Sequence, residues 1–358
     1  MSTAPFDGGA EKSLFTYLSG SSAVSHVLIV HTNTRLSPEI QKVNEVYRLP
    51  FAWFVKTYNP LLLLQFVANW IYCSIHIFLI AKKHGVSIVF ANTFKTYLFT
   101  LLTKVLIRLK LIVCLRDNLS AVWQKKMLFI SDQIITISGH IQDQLDHKES
   151  AQVIHPCVKQ TNISPIKDPF AKKQPGQLII ATIGQLAPWK GQLAFLKLAE
   201  TFKSNDQIKF LIIGDDQSNA NQSYRNQVIQ QAESLKNVQF LGHVEQVGLL
   251  LKKIDVLVHL AQDEPFGRVI VEAMHARKAV IALRSGGIPE IIEQGKSGLL
   301  VDQELALFQS RKAILELYES PAKRLIMGRE AHKRAQRFTD MDFHIHQVNQ
   351  LLKSVHAR

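Results

Sequence analysis

The chain has 358 residues, of which 47% are hydrophobic and 20% are charged. This balance excludes a disordered protein, and the length predicts about two globular domains. The net charge of +13 is spread evenly, with 17 basic and 10 acidic residues in 1–170 and 25 and 19 in 171–358. An even excess argues against a basic tail or a single nucleic-acid face and only weakly for anionic partners. Phosphorylated substrates or an anionic membrane surface fit it as well as nucleic acid does, and no nucleic-acid partner is predicted.

Strands and helices alternate along the first part of the chain. Residues 24–31 (VSHVLIVH) are predicted to form a buried strand, and 86–92, 111–115 and 133–138 three more. Such alternation is typical of parallel α/β units. A doubly wound domain opens with a central strand before its glycine loop, yet Gly8 and Gly9 follow only seven residues. We therefore expect either a late start of the chain or a first domain that lacks its first strand.

A long apolar segment runs from Thr57 to Ala81 without a fixed charge, and it is long enough to span a bilayer. At 100° per residue its polar side chains Gln65, Asn69, Tyr72 and His76 fall in one stripe, together with Lys83 just after the segment. A spanning helix has little use for such a stripe. We therefore predict a helix buried against a sheet, with a helix on a membrane surface as the second interpretation and a true span as the third. Residues 96–110 are predicted to form a packed amphipathic helix.

The three cysteines and the first residues both point to an unexported protein. Cys73, Cys114 and Cys157 are an odd number and lie far apart, which indicates neither a disulfide framework nor a zinc site. The start, MSTAPFDGGAEKS, lacks the basic residues and apolar core of a secretory signal. We expect a cytoplasmic protein, with phosphorylated substrates or an anionic membrane surface as partners of the basic charge.

A second α/β series follows a polar, proline-containing segment between Val158 and Gln177, which indicates a linker. Its predicted strands are 178–184, 209–214, 238–242, 255–261 and 279–283. We predict an α/β fold of two Rossmann-like, doubly wound domains that face each other across a cleft. The predicted divisions are a first domain at 1–160, a linker at 161–176, a second domain at 177–340 and a C-terminal helix at 341–358.

Two glutamates mark the carboxyl edge of the second sheet. Glu264 follows a strand, and Glu272 lies in the early turns of the next helix. The N–H groups at a helix N-terminus suit a phosphate, whereas carboxylates accept hydrogen bonds from hydroxyls such as those of sugars. The alternative for each glutamate alone is a residue favoured by the helix dipole or a plain surface position.

Three more residues are predicted to lie at the same edge. Gly286 and Gly287 follow another strand, where the lack of side chains lets backbone approach a ligand. Lys190 follows a third strand end and can bring a fixed positive charge to a diphosphate. Turn glycines and a solvated lysine are the alternatives, but together with the glutamates these residues predict one ligand site.

Residues 178–302 resemble the donor domain of retaining glycosyltransferases of family 4, which have the GT-B fold. The resemblance is carried by ATIGQLAPWKGQ, KFLIIGDD, VQFLGHV, EPFGRVIVEAM and SGGIPEIIEQGKSGLLV, in the order and spacing of the family. The first half matches less closely, through GGAEKSLFTYL, VFANTFKTYL, VCLRD, ITIS and VIHPCV. The resemblance implies that the helix at 341–358 crosses back to the N-terminal domain, which would hold the acceptor.

The resemblance also implies residue roles. Glu264 would hold the transferred sugar, Glu272 the ribose hydroxyls, and Lys190 the diphosphate, with Glu264 and Lys190 as the catalytic pair. His243 and Val244 would lie beside the base, and Gly9 would approach from the other domain. The implied donor-binding set is Gly9, Gly184, Gln185, Lys190, His243, Val244, Glu264, Phe266, Gly267, Arg268, Glu272, Gly286 and Gly287. The donor is a nucleotide diphosphate sugar, and no metal or other cofactor is implied.

A few positions differ from the common family pattern. Gln185 stands where many members have arginine, and Cys157 stands where a turn glycine is common. Arg116, followed by Asp117, replaces a histidine. Arg116 would bind an anionic acceptor or a phosphate. The alternative is a surface ion pair between Arg116 and Asp117. The loop acids at 215–216 lack further ligands in the sequence pattern, so we predict no metal there.

The sequence thus predicts a retaining hexosyltransferase-type enzyme acting on a glycan or lipid-linked acceptor, in cell-surface polysaccharide or lipopolysaccharide biosynthesis. We expect a cytoplasmic protein with peripheral contact to an anionic membrane at its inner face. The alternative is a catalytically inactive GT-B scaffold or nucleotide-sugar-binding protein. A nicotinamide dehydrogenase is excluded, because no Gly-x-Gly-x-x-Gly follows a strand.

Overall fold

The computed structural model describes residues 1, 9–21, 25–34, 36, 40, 45–52, 59–159, 174–216, 220–244 and 247–357. The chain divides into two units, Met1–Lys159 with Asp340–Arg358, and Gln160–Thr339. We call them unit 1 and unit 2. Most of the predicted linker at 161–176 lies outside the described residues.

Unit 1 is an α/β unit with two separate parallel sheets. Strand β1 pairs with β2, and the other sheet has the order β3-β4-β5-β6. The strands are β1 (Val27–His31), β2 (Glu45–Leu49), β3 (Ile88–Ala91), β4 (Lys110–Leu115), β5 (Gln133–Thr136) and β6 (Ala151–Val153). The helices are α1 (Gly9–Gly20), α2 (Pro60–Lys83), α3 (Phe94–Leu106), α4 (Val122–Met127) and α5 (Gly139–Gln142).

Unit 2 holds one six-stranded parallel sheet in the order β12-β11-β10-β7-β8-β9. Its strands are β7 (Leu178–Ile183), β8 (Ile208–Ile213), β9 (Val238–Gly242), β10 (Val256–His259), β11 (Ala279–Leu283) and β12 (Leu299–Val301). Its helices are α6 (Gln192–Glu200), α7 (Gln222–Glu233), α8 (Val247–Lys253), α9 (Arg268–His275), α10 (Ile288–Ile291), α11 (Ala306–Glu319) and α12 (Pro321–Ala335).

Parallel strands covered on both faces need continuous runs of aliphatic residues, and β7 (LIIATI) is buried at every position. The core between β8 and α6 includes Phe195 and Phe210, whose rings pack edge to face with centroids 5.4 Å apart. All five predicted strands of unit 2 are present within one or two residues. The strand β2 and the three-residue strands β6 and β12 were not predicted.

The last helix, α13 (Met341–Ala357), belongs to unit 1 rather than to the sheet that precedes it. It packs against α1, where the Tyr17 hydroxyl donates to Asn349 Oδ1 at 2.8 Å. Val348, Leu351 and Val355 are buried along its inner face. The inner face of α13 is therefore part of the core of unit 1.

Helix α2 lies largely outside the core, which corrects the prediction of a helix buried against a sheet. Its buried residues are all in its C-terminal half: Cys73, Ser74, Ile77, Ile80 and Ala81. Its N-terminal half turns leucines to solvent, with Leu61 67% and Leu64 65% exposed. Among the described residues α2 is the one helix long and apolar enough to cross a bilayer, and 22% of its most apolar stretch is buried.

The predicted polar stripe explains which face of α2 contacts the rest of unit 1. Asn69 donates to the carbonyl of Pro50 at 2.7 Å and accepts from the amide of Ala52 at 2.8 Å. A side-chain amide that satisfies two backbone groups is held toward the protein. Part of the polar stripe therefore docks the helix against the rest of unit 1, and apolar residues on other faces of α2 remain exposed.

Helix α3 is shorter than the predicted segment 96–110. It starts at Phe94 because Thr93 caps it, accepting from the amide of Thr96 at 3.2 Å. It ends at Leu106 because Ile107 is extended, with φ −126° and ψ 139°. The residues after it lead directly into β4.

The stability of unit 1 should fall as the pH is lowered from 7 to 5, because of His344. This α13 residue is 9% exposed, and its Nδ1 is buried with no partner among the described residues. Burial first, and then the charge of Arg116, lower the pKa of His344 to about 4. The unfolded chain takes up the proton below about pH 6.5, so folding loses about 2 kcal/mol between pH 7 and pH 5.

Urea unfolding at the two pH values measures this loss, and His344→Gln is the variant to compare. The variant should lose about 2 kcal/mol less than the parent over the same pH interval. An equal pH dependence in the two proteins would show that His344 is not the group responsible.

Candidate active site

The strand order of unit 2 places a ligand site between β7 and β10. From β7 the chain proceeds outward through β8 and β9, and it then returns to the other side of β7 to form β10, β11 and β12. In open parallel sheets, ligands bind beyond the carboxyl ends of the strands where this order reverses. The segments at that edge are residues 184–191 after β7, 260–267 after β10 and 284–287 after β11.

A buried cluster of three ionisable side chains occupies this edge. Lys190 Nζ lies 2.6 Å from Glu264 Oε2, and His259 Nε2 lies 3.0 Å from the same oxygen. Glu264 is 7% exposed. Burial opposes ionisation of this carboxyl, but the Lys190 ammonium and the His259 ring outweigh it and hold the pKa of Glu264 at about 2. The glutamate is therefore an anion at neutral pH, and the predicted pair of Glu264 and Lys190 is in direct contact.

His259 belongs to the cluster but was not singled out from the sequence. It is the last residue of β10, is 1% exposed, and has an Nδ1 without a partner among the described residues. A hydrogen bond from Nε2–H to Glu264 fixes the ring orientation. A histidine at the end of an otherwise aliphatic strand, five positions before the acid, was the available signal.

Trp189 is the second residue that sequence reasoning missed. Its ring centroid lies 4.0 Å from Lys190 Nζ, a cation–π distance, and the residue is 42% exposed. The Trp189 carbonyl also accepts from the amide of Gln262 at 2.7 Å, which ties the β7 loop to the β10 loop. The lysine is thus held between an aromatic face and a carboxylate.

Gly286 and Gly287 pack directly behind Glu264. The amide of Gly287 donates to the Glu264 carbonyl at 2.8 Å. Gly286 has φ +60°, and a Cβ there would lie 2.2 Å from the Glu264 carbonyl oxygen. Only glycine fits this close approach of two backbones, so the predicted glycine pair supports the acid as well as lining the edge.

The helix that follows the acid is α9, and Gly267 caps it with φ +101°. Arg268 begins the helix and Glu272 lies half-buried one turn later. The Phe266 side chain is 2% exposed and packs on Phe338 with ring centroids 5.7 Å apart, so it belongs to the core. A ligand contact by Phe266 would therefore be through its backbone.

The other predicted donor-binding residues of unit 2 follow the carboxyl ends of β7 and β9. The amide of Gly184 donates to the Ile213 carbonyl at 2.9 Å, and Gln185 Nε2 is 3.4 Å from Asp216 Oδ1. His243 is exposed and Val244 half-buried, directly after β9. All of these residues lie at carboxyl ends of strands in the same sheet.

The two loop acids have structural partners. Asp215 pairs with Arg225, whose Nε lies 2.5 Å from Oδ1. Asp216 accepts from the amide of Asn221 at 2.5 Å. Over the described part of the chain, no group of three or more His, Cys, Asp or Glu side chains is arranged to hold a metal ion.

The remaining predicted residues lie in unit 1. Gly9 is exposed at the start of α1, and Asp117 is exposed after β4. Arg116 Nε donates to Asn92 Oδ1 at 2.9 Å and to the Asn92 carbonyl at 3.1 Å. An ion pair of Arg116 with Asp117, the predicted alternative, is absent from the salt bridges of the described residues.

Residues 165–334 match the model of the family described as glycosyl transferases group 1. Over 223 residues the chain is 24% identical to the GPI3 subunit of phosphatidylinositol N-acetylglucosaminyltransferase of Saccharomyces cerevisiae, covering 58% of this chain and 46% of that protein. Over 169 residues it is 30% identical to the D-inositol 3-phosphate glycosyltransferase of Corynebacterium efficiens, covering 45% and 39%. The matches thus span less than half the length of these relatives.

The structure of Anabaena Alr3699/HepE, solved in complex with UDP and glucose, is similar to this one. The TM-score is 0.77 at 20% identity, and the match covers 99% of both chains. At this identity the likeness concerns the fold. Together with the parallel sheets of the two units, it confirms the predicted α/β fold of the GT-B class.

Proposed function

We propose that this protein transfers a sugar from a nucleotide diphosphate sugar to a glycan or lipid-linked acceptor. Its unit 2 belongs to the group 1 glycosyl transferases. The proposal includes retention of the anomeric configuration, independence of metal and a cytoplasmic site of action in polysaccharide or lipopolysaccharide biosynthesis. The observation that carries it is the Lys190–Glu264–His259 cluster at the order reversal of the sheet.

Lys190 has the properties needed to stabilise a diphosphate leaving group. Negative charge develops on that group as the sugar–phosphate bond breaks, and a fixed cation stabilises it most when no reorganisation is needed. The contacts with Glu264 and the Trp189 ring hold the ammonium in one place. The N-terminus of α9, which follows Glu264 by four residues, adds the positive end of a helix dipole at the same edge.

Glu264 suits recognition of the sugar better than attack on it. Lys190 and His259 both contact Oε2, so Oε1 is the oxygen that would accept from a sugar hydroxyl. A carboxylate neutralised by an ion pair is a weak nucleophile, which disfavours a covalent sugar intermediate on this residue. Retention by attack from the face of the departing phosphate, with that phosphate accepting the acceptor proton, is the mechanism we propose.

A nucleotide-release assay tests the proposal. The purified protein is incubated with UDP-glucose, UDP-N-acetylglucosamine or GDP-mannose and a membrane extract as the acceptor source, with and without EDTA. We expect release of the nucleoside diphosphate from one donor, unchanged by EDTA and lost in Glu264→Gln. Absence of release from every donor would contradict the proposed transfer, and loss with EDTA would contradict metal independence.

A second candidate is a nucleotide-sugar-binding scaffold without activity. It is favoured by Gln185, which brings no charge to the phosphate side and lies within 3.4 Å of Asp216. The two candidates differ in turnover and share donor binding. Donor-dependent stabilisation without release of nucleotide would select the scaffold.

We also propose that α2 binds unit 1 to the surface of an anionic membrane, where a lipid-linked acceptor resides. Leu61 and Leu64 are exposed beside further apolar residues of the same helix end, and Lys82 and Lys83 lie at its other end. Apolar side chains that enter the acyl boundary and lysines that meet anionic headgroups are the two contributions to such binding.

In flotation with phosphatidylglycerol-containing vesicles, the protein should float with the lipid. Leu61→Gln/Leu64→Gln should reduce the bound fraction at least tenfold, because about 1.5–3 kcal/mol is lost for each leucine that no longer enters the membrane. Leu325→Gln/Ile326→Gln, on exposed residues of unit 2, is the matched control and should float like the parent. Equal flotation of all three proteins would contradict binding through α2.

A further inference from the structure

Three exposed side chains of unit 2 lie next to the buried pair of Lys190 and Glu264. Trp189 precedes the lysine and is 42% exposed, and Gln262 and Asp263 are exposed directly before the glutamate. The Gln262 amide donates to the Trp189 carbonyl at 2.7 Å, so the two segments are in contact. We call Trp189, Gln262 and Asp263 the outer platform.

The backbone that carries the outer platform is held from two sides by glycines. A Cβ at Gly191 would lie 2.3 Å from the Leu260 carbonyl oxygen, and one at Gly286 would lie 2.9 Å from the Asp263 carbonyl carbon. Backbones approach this closely only where a side chain is absent. The segment 260–264 is therefore fixed between the loops that follow β7 and β11.

Asp263 has a backbone conformation that few side chains adopt. Its φ is +49°, in the left-handed region, and its amide donates to Ser285 Oγ at 2.8 Å. The same hydroxyl donates to Asp263 Oδ1 at 3.4 Å, which holds the carboxylate at the surface beside Ser285. Residues held in sparsely populated conformations are concentrated at binding sites and active sites.

The outer platform has the chemistry of a carbohydrate-binding surface. One face of the Trp189 ring lies against Lys190 Nζ, 4.0 Å from the ring centroid, and the residue remains 42% exposed. An exposed indole packs against the C–H groups of a sugar ring, and carboxylate and carboxamide groups bond to sugar hydroxyls. The Asp263 carboxylate repels phosphates and other anions, so this surface favours a neutral sugar.

The position of the outer platform favours the acceptor over the donor. In the proposed transfer the acceptor hydroxyl attacks from the face of the departing phosphate, which Lys190 would hold. Trp189 lies against Lys190 and is exposed, whereas Glu264, which would hold the donor sugar, is 7% exposed. A sugar on the outer platform would therefore lie beside the diphosphate, on the solvent side of the donor sugar.

We propose that the outer platform binds a neutral pyranose of the acceptor, which stacks on Trp189 and bonds to Asp263 and Gln262. The inference rests on the proposed transfer and deepens it, because it gives unit 2 an acceptor subsite and makes a glycan the acceptor class. The bond from the anomeric carbon to the phosphate breaks, and the bond to the acceptor oxygen forms. The acceptor proton passes to the departing phosphate.

Fluorine NMR of the protein labelled with 5-fluorotryptophan tests the subsite without turnover. The chain has four tryptophans, and the resonance lost in Trp189→Phe identifies Trp189. The probes are methyl α-glucoside, methyl α-galactoside and methyl α-mannoside. We expect one of them to shift the Trp189 resonance and to bind at least tenfold more weakly to Asp263→Asn.

The variant Asp263→Asn removes the charge alone, because asparagine has a similar size and tolerates a positive φ. Glu304→Gln, at an exposed acid of the same unit, is the matched control and should bind the glycoside like the parent. Absence of a Trp189 shift with all three glycosides would overturn the subsite, as would equal binding to Asp263→Asn and the parent.

A saturating nucleotide sugar separates the two sources of a sugar ring. A glycoside on an acceptor subsite still shifts the Trp189 resonance when UDP-glucose, UDP-N-acetylglucosamine or GDP-mannose is bound. A glycoside in the position of the donor sugar is displaced instead. Displacement by the nucleotide sugar would therefore overturn the assignment to the acceptor.

Transfer kinetics give the second readout. Asp263→Asn should raise about tenfold the amount of membrane extract needed for half-maximal nucleotide release, and it should leave hydrolysis of the donor without acceptor unchanged. An equal loss of donor hydrolysis would place Asp263 at the donor and overturn the proposal. A parent that shifts Trp189 with a glycoside but releases no nucleotide would contradict the proposed transfer and would confirm the sugar subsite.

Discussion

Replacing Lys190 with methionine should lower the rate of sugar transfer by about 10²–10³-fold and reduce the stability of unit 2 by about 3 kcal/mol. The rate falls because the leaving diphosphate loses its fixed cation. The stability falls because Glu264, which is 7% exposed, keeps a buried charge whose nearest cation is gone. Nucleotide release and urea unfolding measure the two effects separately.

The double variant Lys190→Met/Glu264→Gln separates the two roles of the pair. Removing both charges should restore most of the lost stability, because no unpaired carboxylate remains buried, but it should not restore transfer. A double variant as unstable as the single variant would show that Lys190 stabilises the fold through its packing. Full transfer activity in Lys190→Met would contradict its role at the diphosphate.

The pH dependence of the Lys190→Met defect follows from the same pair. In the parent the pKa of Glu264 is held at about 2, below its usual value, so the pair stabilises the fold above about pH 4.5 and this stability is lost as the pH falls toward 2. Without Lys190 burial pushes the pKa of Glu264 upward, and protonation then relieves the defect. The stability difference between parent and variant should therefore narrow from pH 7 to pH 3.

Gly286→Ala is the second change with a large expected effect. The new Cβ would lie 2.2 Å from the carbonyl oxygen and 2.6 Å from the amide nitrogen of Glu264, so the backbone that carries the acid must move. The residue also has φ +60°, which an alanine adopts at about 1–2 kcal/mol. We expect a loss of roughly 3 kcal/mol or more in unfolding free energy, together with loss of donor binding.

Gly295→Ala is the matched control for this change. Gly295 has φ +76°, and a Cβ there meets nothing within 4 Å. The Gly295→Ala variant should lose only about 1–2 kcal/mol of unfolding free energy, which is the cost of a positive φ for alanine, and it should keep donor binding. If Gly286→Ala were no less stable than Gly295→Ala, the close packing of Gly286 behind Glu264 would be contradicted.

The parallel sheet of unit 2 could be predicted because its strands are buried on both faces. Such strands are continuous aliphatic runs, as in β7, and they are recognised without any knowledge of their neighbours. The strands β6 and β12 have three residues each, too few to form a pattern. The prediction for α2 was wrong because a hydrophobic period does not say which side of a helix meets the protein, and the bonds of Asn69 to Pro50 and Ala52 decide it.

Part of the candidate site could be predicted from the order of the strands and helices. Glu264 and Lys190 stand at strand ends, and parallel topology brings strand ends together, so their proximity followed from the order of elements. His259 was not predicted as a site residue because it lies within the predicted strand 255–261, where a histidine cannot be told from any other buried residue. The packing of Gly286 against Glu264 depends on a backbone approach between two loops, which no local pattern encodes.

The most direct measurement of the central claim is the melting temperature of the protein with UDP, GDP and ADP and their sugars, in the parent and in Glu272→Ala. A ligand at 100 times its Kd stabilises the folded state by about 2.7 kcal/mol, which raises the Tm by about 5–10 °C. We expect the nucleotides of one base to raise the Tm by this amount. The rise should be lost in Glu272→Ala and retained in Glu304→Ala, because Glu304 is an exposed residue of unit 2 that the predicted site does not include. No shift with any nucleotide in the folded protein, or an equal shift in Glu272→Ala, would contradict a donor site at this edge of the sheet.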